Sequence, residues 1–221
     1  MGAGLWVKNY ARTAPVTAGI VVACCLAWIV TAVQARSLSG SYYDSSLAFE
    51  WTLWGPQVLQ GEYLRPLGAM FMHLDLGHLA VNMFLLVFIG REIERAYGSA
   101  LYACAYLAGG LGAAASVLFM DFSTPTVGAS GALYALMVLL IGVYRSRGMD
   151  LRAPIVLVLA NMVYTVMSPG VSLWGHVGGV VAGLLMLPFM MSRRTQVRWI
   201  GTVSVLGVSL ILMWFSTVYW G

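Results

Sequence analysis

The chain has 221 residues, of which 60% are hydrophobic and 9% charged, with a formal net charge of +4. Roughly a quarter of an ordinary soluble domain is charged. So few charges could not cover a water-exposed surface, which excludes a disordered chain, a coiled coil and a soluble globule. The mean hydropathy of +0.84 points instead to an all-α, polytopic membrane protein. The small basic excess is explained by membrane topology, and no nucleic-acid partner is inferred. Cys24, Cys25 and Cys104 all lie in apolar runs and read as small buried hydrophobes, since an odd count gives no disulfide framework.

Seven apolar runs are candidates for spans, at roughly 14–33, 76–91, 100–120, 129–144, 153–168, 171–191 and 199–219. The fourth and fifth are short. At about 16 residues each reaches about 24 Å, less than a hydrocarbon core of about 30 Å. Such helices must begin or end below the surface, where protein or trapped water satisfies the backbone. The expected organisation is a six-helix core over 1–192, with a long loop at 35–75, followed by a seventh helix in 193–221.

Basic residues set the direction. Lys8, Arg12, Arg91, Arg95, Arg145, Arg147, Arg152, Arg193, Arg194 and Arg198 fall on one side of this arrangement, leaving Arg36 and Arg65 for the other. The positive-inside rule then puts the N-terminus in the cytoplasm and the C-terminus outside. The first apolar run is longer than the core of a cleaved signal and reads as a signal-anchor. The long loop carries Tyr42, Tyr43, Trp51, Trp54 and Tyr63, and aromatic residues favour the headgroup layer. Glycine and alanine crowd the third, fourth and sixth spans, which should form the tight centre of the bundle.

Polar side chains inside spans are costly and mark candidate sites. His78 and Asn82 lie in the second span, Ser130 in the fourth and His176 in the sixth. Singly, each has an ordinary structural reading, by back-bonding to a carbonyl or bonding across a helix pair. Together they differ, because these three spans run in the same direction and all four residues lie near their starts. The residues therefore share a leaflet and can converge. His78 and Asn82, four apart, share a helix face. Ser130 follows Gly128-Ala129 and precedes Gly131, so its N–H is a first-turn donor at the positive end of a helix. A hydroxyl becomes a nucleophile when a base takes its proton, and His176 can be that base. The tetrahedral oxyanion so formed needs fixed donors, which the Ser130 N–H, Asn82 and His78 can supply. No Asp or Glu lies in the fourth or sixth span to orient the base, so the pattern is a Ser–His dyad. His73 reads as bonded to water or a loop carbonyl.

These residues resemble the rhomboid intramembrane serine proteases. Gly128-Ala129-Ser130-Gly131 is similar to the family's GxSG motif, with Tyr134 one turn on. His78-Leu79-Ala80-Val81-Asn82 is similar to its HxxxN motif. His176-Val177-Gly178-Gly179, with Gly183, is similar to its histidine helix, and Glu94 and Gly98 to its ExxxG. Arg65 fits the family's loop arginine, although Leu64 stands where tryptophan is usual. The resemblance implies Ser130 as nucleophile and His176 as general base. It implies oxyanion stabilisation by His78, Asn82 and the Ser130 backbone, with Tyr134 stacked on His176 and Gly128, Gly131 and Gly179 in support. It implies single-pass transmembrane protein substrates, cut in or near the outer-leaflet part of their helix. It also implies a lateral gate at about 153–170, where Ser168-Pro169-Gly170 breaks the fifth helix.

The alternative is a rhomboid-like pseudoprotease that binds transmembrane helices without cleavage. A transporter would need midplane charges or an inverted repeat, and the polar cluster is one-sided. No metal spacing or phosphate loop is present, so no cofactor is inferred, and lipids are the expected surroundings. The expected location is a bacterial plasma membrane.

Overall fold

The computed structural model describes residues 3–221. Among these the regular structure is all helical, and the only extended pairing is an isolated antiparallel bridge between Leu53 and Thr126. The chain opens with α1 (Ala3–Thr13) and α2 (Pro15–Ala35). The long loop holds three short α-helices, α3 (Ser46–Trp51), α4 (Gly55–Leu59) and α5 (Arg65–Gly68), and a 3-10 turn (Ala69–Phe71). Then come α6 (Leu76–Leu85), a π-helical turn (Leu86–Gly90) and α7 (Arg91–Tyr97), which run on as one rod. The rest is α8 (Ser99–Met120), α9 (Ser130–Ser146), α10 (Arg152–Met167), α11 (Leu173–Met190) and α12 (Thr195–Trp220).

Five of these rods are long and apolar enough to cross a membrane: α2, α6–α7, α8, α11 and α12. The short apolar helices α9 and α10, of 17 and 16 residues, fall on the expected fourth and fifth spans. The second rod runs six residues past its expected end at 91, to Tyr97. Charge ends an apolar run in the sequence, but it does not end a helix. Arg91, Glu92 and Arg95 simply ride the last two turns, and Gly98 at φ +87° ends them.

The buried Glu94 explains how the first two rods are joined. Its carboxylate accepts from the N–H groups of Val16 (3.0 Å) and Thr17 (2.8 Å) and from the Thr17 (2.7 Å) and Ser99 (2.6 Å) hydroxyls. Two orphan donors at the positive end of α2 are thereby satisfied by a buried anion. The π-helical turn leaves a carbonyl out of register, and Tyr10 on α1 donates to that of Val87 at 2.7 Å.

The centre of the bundle is α8, α9 and α11, as the glycine and alanine density predicts. α9 packs most extensively on α11, and α8 packs on both α11 and α12. The contacts set backbone against backbone or against a methyl group. A Cβ at Gly131 would overlap the Ala113 methyl, one at Gly179 would overlap the Gly131 carbonyl, and one at Gly183 would stand 2.8 Å from the Ala135 carbonyl. Small residues of this kind drive helix association in lipid, where the hydrophobic effect does not. α10 lies at the margin, with Pro154 and Thr165 its buried residues.

The loop before α9 is sewn to the long loop by main-chain bonds. Leu53 and Thr126 exchange two of them, Gly55 donates to Phe122 (3.1 Å) and Gly128 donates to Ala69 (2.9 Å). Arg65, buried at 3% exposure, holds the long loop from within. It donates to the Phe49 and Thr52 carbonyls and pairs with Glu62 at 2.7 Å. From the other side, Trp220 at the end of α12 stacks on Phe122 and donates to the Leu118 carbonyl at 3.0 Å.

Candidate active site

Ser130, His176, His78 and Asn82 converge at the end of the bundle that carries the long loop. They line a cavity of about 800 Å³. Ser130 is the first residue of α9, and Gly128, just before it, sits at φ +131°. An L side chain rarely adopts that backbone, so the bend that presents Ser130 needs glycine there. Space demands it as well, because a Cβ at Gly128 would stand 3.0 Å from the His78 ring. Since α9 begins at Ser130, its N–H has no intrahelical acceptor.

His176 Nε2 and Ser130 Oγ are 2.7 Å apart. The two residues are 46 positions apart in the chain, and the glycine contacts of α9 with α11 bring them together. The Tyr134 ring stacks on His176, with centroids 4.2 Å apart and planes at 23°.

His78 is held in one tautomer by its own turn. Its Nδ1 accepts from the Leu74 N–H at 3.4 Å, so its proton is on Nε2, next to Gly128. The Asp75 carboxylate caps the same turn at the His78 N–H, at 2.8 Å. Asn82 is placed less directly than the sequence reading expects. Its Nδ2 donates to the His78 carbonyl one turn back, at 2.8 Å. The amide has a second N–H to offer, while its buried Oδ1 has no partner. His73 is buried beside His78, with ring centroids 5.0 Å apart, and its Nδ1 is 3.3 Å from the Phe71 carbonyl. Burial, with a smaller push from His78, lowers its pKa to about 3, so His73 is a neutral packing partner at ordinary pH.

One residue of this cluster escapes the sequence reading. Thr165, on α10, is buried at 3% exposure, and its Oγ1 is 2.7 Å from His176 Nδ1 and 2.6 Å from the Tyr134 hydroxyl. It also donates to the Asn161 carbonyl at 2.9 Å. The available signal is Asn161 and Thr165, four residues apart on an otherwise apolar helix, the same spacing as His78 and Asn82.

Chemically, the arrangement offers a hydroxyl beside an imidazole, with backbone and side-chain N–H donors near that hydroxyl. This is the class of site that can activate a serine within a polytopic helical bundle. The model of the Rhomboid domain matches residues 60–194, more than half of the sequence, and the chain belongs to the rhomboid family. It is similar to "Rhomboid protease GluP" of Bacillus subtilis (strain 168), 35% identical over 132 residues, which are 57% of this chain and 26% of that protein. It is also similar to "RHOMBOID-like protein 6, mitochondrial" of Arabidopsis thaliana, 30% identical over 170 residues, 73% of this chain and 53% of that protein. A human relative, "Rhomboid-related protein 3", is 32% identical over 96 residues, 43% of this chain and 22% of that protein. The chain thus spans between about a fifth and about half the length of these relatives.

Proposed function

We propose that this protein is an intramembrane serine endopeptidase whose substrates are single-pass transmembrane proteins. The observation that carries the reading is the 2.7 Å contact between His176 Nε2 and Ser130 Oγ inside a cavity lined by further donors. A relative named as a protease supports it.

In this reading Ser130 Oγ gives its proton to His176 Nε2 and attacks the scissile carbonyl. The oxyanion that forms lies by the Ser130 N–H, His78 Nε2–H and the second N–H of Asn82. His176 then passes its proton to the leaving amine, and an acyl group remains on Ser130. Water, activated by the same imidazole, releases it. Tyr134 fixes the imidazole plane. Residues 1–192 form the working core, and 193–221 add a helix that braces it. The N-terminus is cytoplasmic, the C-terminus is extracytoplasmic, and the bilayer is a bacterial plasma membrane.

The test is cleavage of a panel of single-span substrates with helix-breaking residues, by purified wild-type protein beside Ser130→Ala and His176→Ala. Cleavage by the wild type alone is expected, with a fluorophosphonate probe labelling Ser130. Full cleavage by Ser130→Ala would overturn the reading. A wild-type protein inert to every substrate and to the probe would favour the pseudoprotease instead.

A further inference from the structure

The proposed base has no carboxylate behind it, yet its second ring nitrogen is not idle. His176 Nδ1 meets Thr165 Oγ1 at 2.7 Å in a buried cluster with Tyr134 and Asn161. Four contacts make up this cluster. Besides Thr165 to Nδ1, they are Tyr134 O–H to the Asn161 carbonyl (2.7 Å), Tyr134 to Thr165 (2.6 Å) and Thr165 to the Asn161 carbonyl (2.9 Å).

The hydrogens can be counted. A hydroxyl carries one proton and accepts up to two, whereas a carbonyl only accepts. The Asn161 carbonyl is therefore the point toward which the protons of the cluster run. If Thr165 gives its proton to Asn161, it has none left for Nδ1, and the 2.7 Å contact requires Nδ1–H to donate. Three hydrogens then serve the four contacts. In the other tautomer Thr165 must give its only proton to the ring, and two hydrogens serve four contacts around a threonine that is 3% exposed. Any missing hydrogen bond costs most where no water can replace it. Ser130 lines the cavity and Thr165 does not, so the Nε2 side bears the loss more easily.

We propose that Thr165 is a positioning residue for His176. It accepts the Nδ1 proton, so the lone pair sits on Nε2, facing Ser130. This rests on the reading of Ser130 and His176 as nucleophile and base. In soluble hydrolases a carboxylate does this work, and here a neutral hydroxyl anchored to its own helix carbonyl does it. A neutral acceptor adds no buried charge next to the imidazole. The anchor comes from α10, a different helix from those bearing serine and histidine. α10 is otherwise weakly buried, with Tyr164 and Val166 flanking Thr165 at 63% and 71% exposure. Base orientation is thereby tied to the seating of the marginal helix.

The test is nitrogen-15 NMR of protein labelled at its three histidines, together with cleavage kinetics of Thr165→Val and Thr165→Ser. Wild-type His176 should show a protonated, pyrrole-type Nδ1 and a bare, pyridine-type Nε2. Thr165→Val, which keeps the shape and removes the acceptor, should mix the two tautomers. It should lower kcat by about ten- to a hundredfold, with KM changed less than about twofold, the size expected for one hydrogen bond to an ionisable group. Thr165→Ser should restore both readouts to within about threefold. A protonated Nε2 in the resting wild type would overturn the proposal, whatever the variants do. So would a Thr165→Val protein with an unchanged tautomer and kcat. If the wild type cleaves nothing, the protease reading falls, while the spectrum still judges the anchor.

Discussion

Gly179 and Gly131 meet backbone to backbone, with the Gly131 carbonyl standing where a Gly179 side chain would be. Ser130 precedes one of these glycines and His176 lies one helical turn before the other. The separation of hydroxyl and imidazole is therefore set by main chain against main chain, which leaves few soft degrees of freedom. A methyl group at this contact has nowhere to go, because the obstacle is not a rotatable side chain.

Gly179→Ala should thus separate α9 from α11. Overpacking of this kind costs about 1–3 kcal/mol, and cleavage should fall far more than the amount of folded protein. Gly207→Ala, on the open face of α12 with nothing within 4 Å, is the control. It should be neutral or slightly stabilising, by up to about 1 kcal/mol. Melting temperatures in detergent and cleavage rates of both variants check this, and equal behaviour of the two would contradict it.

Asn82→Ala removes one of the three donors assigned to the oxyanion. Its kcat should drop by about 10²-fold, with KM within about threefold of wild type. Because the same amide group also bonds the His78 carbonyl, the first turns of α6 loosen slightly, and a small loss of melting temperature is expected alongside. A rise in KM at constant kcat would show that Asn82 binds substrate and does not stabilise the oxyanion.

Glu94→Gln replaces a buried acceptor of four donors by a group that brings donors of its own. Leaving such partners unmet should cost about 2–3 kcal/mol. Glu92→Gln breaks only the half-exposed pair with Arg147 and should cost less than about 1 kcal/mol. Unfolding in mixed micelles distinguishes the two. A Glu94→Gln protein as stable as Glu92→Gln would show that the cap on α2 contributes little.

His73 gives a pH dependence of definite sign. Its folded pKa, near 3, lies below its ordinary value of 6.5, so the unfolded chain binds the extra proton. The stability this neutral ring contributes is whole above about pH 6.5 and is lost as pH falls toward 3, at up to about 1.4 kcal/mol per unit. The melting temperature of His73→Gln should therefore fall less steeply between pH 7 and pH 4 than that of the wild type. Parallel slopes would refute this.

The spans and the four polar residues near their starts were legible because each is a local contrast, an apolar run broken by one costly group. α1 was not legible as an element. It is 11 residues long and carries Lys8 and Arg12, and its place comes from distant contacts such as Tyr10 with Val87. The short helices of the long loop owe their form to Arg65 and to main-chain bonds across 59 to 73 residues, which no local pattern encodes. Thr165 was hidden for another reason. A threonine bonded to the carbonyl four residues back is ordinary in an apolar helix, and only the folded chain shows the same oxygen meeting an imidazole.

Because Trp220 rests on Phe122, and Phe122 belongs to the segment stitched to the long loop just ahead of Ser130, the last turn of α12 is mechanically continuous with the rim of the cavity. A fluorescent protein or affinity handle joined after Gly221 would pull on that rim. Handles on the N-terminal side load α1 instead, at the far end of the molecule. Weak turnover by a C-terminal fusion would then measure the tether, and preparations intended for kinetics should carry their handle at the other end.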